Sequence, residues 1–92
     1  MREIDYSGQF ERDYKRESKS PNNKDLNKRL ESVISALCAD FPLPPKFQDH
    51  PLKGDYLGTR ECHIKPDLLL IYFKTGKNLL TLVRLGSHSE LF

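Results

Sequence analysis

Apolar residues at helical spacing mark the first half of the chain, and apolar runs divided by short turns mark the second. Leu26, Leu30, Val33, Ile34, Leu37 and Phe41 recur at the i, i+4, i+7, i+8 spacing of one helix face. Lys24, Asp25, Lys28, Arg29 and Glu31 take the other side. The pattern predicts a helix closed by Pro42, Pro44 and Pro45, because proline removes a backbone donor and clashes with the preceding turn. Upstream, Phe10 and Tyr14 stand four apart among charges and Ser7 suits an N-cap, which predicts a shorter helix to about Ser18. Before it, Arg2 to Tyr6 alternates with Ile4 and Tyr6 on one face, the mark of a short strand. Ser20-Pro21-Asn22-Asn23 reads as the turn between the helices.

Beyond the prolines the period changes to that of strands. Thr59 to Ile64, Asp67 to Lys74 and Leu79 to Leu85 are separated by Lys65-Pro66 and Thr75-Gly76-Lys77, which are turn sequences. Turns this short imply an antiparallel meander. Gly86-Ser87 breaks the last strand, and Ser87 suits the cap of a final turn through Glu90, Leu91 and Phe92. Residues 42–58 form the longest irregular stretch, and long loops in small domains are often functional. The expected fold is α+β: a small sheet of about four strands, with a C-terminal antiparallel meander, packed against two N-terminal helices. The place of the first strand in that sheet is left open. Leu26, Leu30, Val33 and Leu37 are assigned to the core.

Length and composition narrow the class. Ninety-two residues leave too little chain for two cores, so residues 1–92 are read as one domain. The longest apolar run, Leu68 to Phe73, falls far short of the ~20 residues that span a bilayer. The first residues lack the apolar core of a signal peptide. Cys38 and Cys62 match neither a disulfide framework nor zinc spacing, so two buried thiols and a cytoplasmic protein are expected. The formal net charge is only +2, weak evidence for nucleic acid, and residues 42–92 carry the whole excess with all three histidines.

Meander geometry then gathers the chemistry. If the chain reverses at Lys65-Pro66 and again at Gly76, His63, Asp67, Arg84 and His88 arrive at one end of the sheet, within reach of His50 from the loop. Imidazoles, a carboxylate and a guanidinium suit phosphoryl chemistry without a metal. One imidazole near pKa ~6.5 removes a proton while another donates one. Arg84 can meet charge developing on a phosphate oxygen. RNA fits, since its 2′-hydroxyl is an internal nucleophile. Zinc is the chemical competitor, because three histidines can hold an ion, but no short-spaced ligand pair of the His-Glu-x-x-His kind is present.

Three segments in order carry a resemblance. Asp49-His50-Pro51-Leu52-Lys53-Gly54, Arg60-Glu61-Cys62-His63-Ile64-Lys65-Pro66-Asp67 and Arg84-Leu85-Gly86-Ser87-His88-Ser89-Glu90-Leu91-Phe92 resemble the YafQ branch of the RelE/ParE toxin superfamily. Ile4-Asp5-Tyr6-Ser7-Gly8-Gln9 and Leu70-Ile71-Tyr72 agree, so the likeness covers almost the whole chain. It implies a RelE-like fold and the toxin of a type II toxin–antitoxin pair. It also implies a ribosome-dependent, metal-independent endoribonuclease that cuts messenger RNA and inhibits translation, with no cofactor. By resemblance His50, His63, Asp67 and His88 form the acid–base group, Arg84 clamps phosphate and Phe92 shapes the site. The base is expected from His50 or His63, with Asp67 holding an imidazole and His88 as acid. Lys53, Arg60 and Lys65 are the expected nucleic-acid contacts. The implied partners are a cognate antitoxin and messenger RNA on the ribosome, with no membrane. The free toxin is expected to be a monomer and the toxin–antitoxin complex a hetero-oligomer. Leu68 stands where this branch can carry an aromatic residue, which removes a surface for base stacking. Two other readings stay open: a ParE-like toxin that binds a protein such as DNA gyrase without cutting RNA, and a metal hydrolase.

Overall fold

The computed structural model describes residues 1–92. Strand β1 (Glu3–Tyr6) is followed by helices α1 (Gly8–Ser18) and α2 (Leu26–Cys38), then by strands β2 (His50–Pro51), β3 (Arg60–Lys65), β4 (Leu68–Thr75) and β5 (Leu79–Gly86), and by a last helical turn, α3 (His88–Leu91). The five strands lie in the order β1-β5-β4-β3-β2. The count exceeds the expected four because His50 and Pro51, read as loop, pair with Glu61 and Arg60 as a two-residue edge strand. Two residues are too short to show a period of two. The open question of β1 is settled: it runs parallel to β5, with Ile4 beside Leu80. The meander β3-β4-β5 is antiparallel, as the short turns require.

Helices α1 and α2 cover one face of the sheet. Phe10, Leu26, Leu30, Val33 and Leu37 pack there against Cys62, Ile64, Leu70, Tyr72 and Leu82. Ser7 caps α1, its hydroxyl accepting from the Phe10 N–H at 2.9 Å. The end of α2 differs from expectation. The prolines do not stop it; a left-handed residue does, Asp40 at φ 57°. The Phe41 N–H reaches the Ala36 carbonyl and the Asp40 N–H reaches that of Leu37, the paired bonds of a Schellman turn. Asp40 takes a place that glycine usually fills, and its carboxylate meets Arg2 at 2.9 Å and Lys74 at 2.7 Å. Phe41 therefore falls outside the helix and is 68% exposed rather than part of the apolar face.

Beyond Leu82 strand β5 has lost its neighbour β1, and side chains of the α1 segment satisfy the open edge. Ser7 donates to the Val83 carbonyl, Asp13 accepts from the Leu85 N–H and Arg16 donates to the Leu85 carbonyl. Unpaired edge groups would otherwise cost free energy or invite another strand. The opposite face of the sheet carries a second, smaller core of Leu69, Ile71 and Leu91, with Leu52, Tyr56 and Val83 packed against it. Gly86 lets α3 fold back over that face, since a Cβ there would fall 2.8 Å from Arg16 Nη2 and 3.3 Å from Leu91. Both cysteines are buried and free, and burial pushes the Cys62 thiol up to about 12.

Candidate active site

Alternation along β3 decides which residues can act. Cys62 and Ile64 point into the helix-side core, so Glu61 and His63 occupy the other face. His50 on β2 lies directly across from Glu61. The turn α3 brings His88 and Phe92 over the same face, held by a Ser87–Glu90 capping box. Together His50, Glu61, His63, His88 and Phe92 line an open cleft of about 370 Å³.

Aromatic rings run across the cleft in sequence. His63 and His88 have ring centroids 6.3 Å apart, His88 and Phe92 5.6 Å, and Phe92 and Tyr56 5.5 Å. Phe92 is 59% exposed, so its ring remains open to a ligand. Glu61 lies beneath the imidazoles and is 2% exposed. Its Oε1 is 3.4 Å from His63 Nε2 and 3.8 Å from His50 Nε2. His50 Nδ1 stands 2.6 Å from the Gln48 carbonyl. A carbonyl only accepts, so Nδ1 donates this bond, which leaves Nε2 as the ring nitrogen on the Glu61 side. The residue before it, Asp49, accepts from Tyr72 Oη at 2.6 Å and from Arg60 Nε at 3.2 Å, which fixes the approach of His50 to the sheet.

Asp67 and Arg84 border this cleft rather than line it. The Asp67 carboxylate accepts from the His88 backbone N–H at 3.4 Å and from no imidazole. The carboxylate among the imidazoles is Glu61, contrary to expectation. Arg84 reaches toward the cleft through Nη1, 3.4 Å from Tyr56 Oη. Its other nitrogens grip Asp13: Nε at 2.7 Å from Oδ2 and Nη2 at 3.2 Å from Oδ1. Of the expected RNA contacts, Lys53 is exposed and free, Arg60 is tied to Asp49, and Lys65 is bonded to the Asn22 carbonyl and Asn23 Oδ1. Leu68 is buried in the helix-side core, so the exposed aromatic of the site is Phe92.

Sequence reasoning passed over Glu61 and Asp13. Glu61 carried a usable signal, standing two residues before His63 on a strand and hence on its face. Asp13 carried none, since an aspartate in a charged amphipathic helix reads as solvent-facing. It is fully buried and accepts from Gln9, Arg16, Arg84 and the Leu85 N–H. Burial alone would raise its pKa, but Arg84 and the Leu85 N–H outweigh it and hold the carboxyl below its ordinary 3.8. A lowered folded-state pKa contributes stability that is complete above the unfolded value and lost as pH falls below it. Wild-type stability should therefore decline below pH 3.8, and Asp13→Asn should flatten that decline in denaturant titrations across the acid range.

The sequence and the fold are shared with known proteins. Residues 2–92 match the family described as the bacterial toxin of type II toxin–antitoxin system, YafQ. The mRNA interferase toxin YafQ of Escherichia coli K12 is 42% identical over 92 residues, covering 100% of this chain and 97% of that protein. The crystal structure of a metal-bound toxin from Helicobacter pylori shares 53% identity with a TM-score of 0.88, covering 100% of both chains. YafQ in the crystal structure of the E. coli DinJ–YafQ complex shares 41% with a TM-score of 0.83, covering 100% of this chain and 99% of that one. With the family matched along its length and the fold shared at these identities, the chain belongs to the YafQ family of bacterial type II toxin–antitoxin toxins.

Proposed function

We propose that this toxin cuts messenger RNA in the decoding site of the ribosome, without a metal, by attack of the RNA 2′-hydroxyl on the adjacent phosphate. It is an mRNA interferase, an endoribonuclease, by its family and its relatives, and a cognate antitoxin is its partner as DinJ is for E. coli YafQ. The observation that carries the mechanism is the cleft in which His50, His63 and His88 converge over buried Glu61.

His50 or His63 takes the 2′-hydroxyl proton as the oxygen bonds to phosphorus. His88 gives a proton to the departing 5′-oxygen, which leaves a 2′,3′-cyclic phosphate and a free 5′-hydroxyl. Arg84 Nη1, held only by a long bond to Tyr56 Oη, meets the charge that builds on the phosphate oxygens. Lys53, Arg60 and Lys65 would add backbone contacts, of which Lys53 alone needs no rearrangement. The +2 net charge supports a dependence on the ribosome, which would supply positioning that a weakly charged protein does not. Acting there places the toxin in the cytoplasm; no helix is long and apolar enough to cross a membrane. The mechanism calls for no metal, because the base, the acid and the charge-stabilising group are all side chains of this chain.

Primer extension on a translated messenger tests the proposal. Discrete cuts within codons, dependent on ribosomes and undiminished when the toxin alone is first treated with chelator and dialysed, are expected. Loss of cleavage by the chelator-treated toxin, restored by preloading it with a divalent transition-metal ion, would replace the acid–base mechanism with a metal-dependent one. Growth arrest without cuts would direct attention to a protein target. Phe92→Leu should lower kcat/KM roughly tenfold, because stacking on an aromatic ring is worth ~1–3 kcal/mol per base and leucine offers no π-face. Phe92→Tyr should retain most of the activity in the same assay.

A further inference from the structure

Asp13 is the most deeply buried ionised group in the protein, and acid–base chemistry makes no use of it. Its two carboxylate oxygens receive Arg84 through Nε and Nη2, at 2.7 and 3.2 Å, in the paired fork that fixes a guanidinium plane. Oδ2 also accepts from the N–H of Leu85, the residue after Arg84, at 3.0 Å. Oδ1 accepts from Arg16 Nη1 at 3.0 Å and Gln9 Nε2 at 3.1 Å. The same carboxylate thus holds the side chain of Arg84 and the backbone beside it. It is fixed in turn from its own helix.

The consequence falls on Arg84. Two of its three side-chain hydrogen bonds go to Asp13, and what remains for a ligand is Nη1, whose one partner is Tyr56 Oη at 3.4 Å, beside the Phe92 ring. An unrestrained arginine would lose side-chain freedom on gripping a phosphate, whereas one already clamped has lost it on folding. Pre-set donors stabilise developing charge without reorganising during the reaction.

We propose that Asp13 is a positioning residue for cleavage: it acts through Arg84, holding the guanidinium so that Nη1 meets the scissile phosphate. This rests on the reading of Arg84 as the phosphate clamp. Asp13 does not touch RNA.

A double-mutant cycle on ribosome-bound messenger separates this from a purely structural role. The variants are Asp13→Asn, Arg84→Gln and the two combined, each checked for folding by circular dichroism and thermal melting. Asp13→Asn should lower kcat about tenfold with little change in KM, because the substrate is still bound and only the transition-state contact is misaligned. In the Arg84→Gln background the same change should cost nothing further, since the group through which it acts is gone. Wild-type kcat in Asp13→Asn would overturn the proposal. So would an equal loss in both backgrounds, which would mean that Asp13 acts through the fold alone. If Arg84→Gln itself cleaves at the wild-type rate, the clamp reading fails and Asp13 falls with it; the first two results leave that reading standing.

Discussion

Replacing His88 with alanine should lower cleavage by about two orders of magnitude while leaving the melting temperature where it is. The size follows from the role, since a positioned acid or base typically contributes ~10²–10⁴-fold. The unchanged stability follows from the structure. His88 is exposed at the first position of α3. Ser87 and Glu90 cap that turn and Leu91 anchors it in the smaller core, so none of its attachments to the sheet is the imidazole. Alanine is also the residue that best tolerates a helical position. Rate and stability should therefore part company, which they would not do if His88 were a structural histidine. The measurement is single-turnover cleavage of a messenger on programmed ribosomes beside a thermal melt of the same preparation. An unchanged rate would remove His88 from the mechanism.

The fold was legible where periodicity had room to show. The apolar face of α2 and the three meander strands announced themselves over six or more residues; the strand bounds lie within a residue of expectation, while α2 ends at Cys38, three residues short of Phe41. What was hidden was short or unusual. β2 has two residues, below any detectable alternation. Asp40 ends α2 in a left-handed turn that three prolines a few residues on seemed to explain better. Glycine there would have been read correctly; aspartate in that role is held by Arg2 and Lys74, which are distant in sequence.

The histidines of the site were legible for a topological reason. Reversals at Lys65-Pro66 and Gly76 return the chain to one end, and the register agrees, with His63 and Gly86 both beside Leu69. The carboxylates were harder. Asp67, at the turn, drew attention by its position, yet its partner is the His88 backbone. Glu61 and Asp13 are ionisable residues in amphipathic segments, and such residues are nearly always on the outside. Asp13 is buried because Arg84 arrives from 71 residues away, a meeting that no local pattern encodes, whereas Glu61 shares a strand face with His63 two residues on and was legible to that extent.

Arg84→Gln should cost cleavage about two to three orders of magnitude, the loss typical when a preorganised donor to developing charge is removed. Glutamine preserves most of the length and can donate one hydrogen bond, but it has neither the charge nor the fork. Part of any loss could come from the fold, because Asp13 would remain buried without its principal partner. The structure limits that part: Arg16, Gln9 and the Leu85 N–H still satisfy the carboxylate, and Arg16 retains a positive charge 3.0 Å away. The stability cost should thus be modest while the catalytic cost is large, and a melt alongside the kinetics reads the two separately. Arg84→Lys supplies the sharper comparison. Lysine restores the charge but presents a point ammonium that cannot grip Asp13 and leave a second nitrogen for phosphate. If charge alone were needed at this position, lysine would recover most of the rate. If a clamped planar group is needed, Arg84→Lys should cleave nearly as slowly as Arg84→Gln, despite a melting temperature close to that of the wild type.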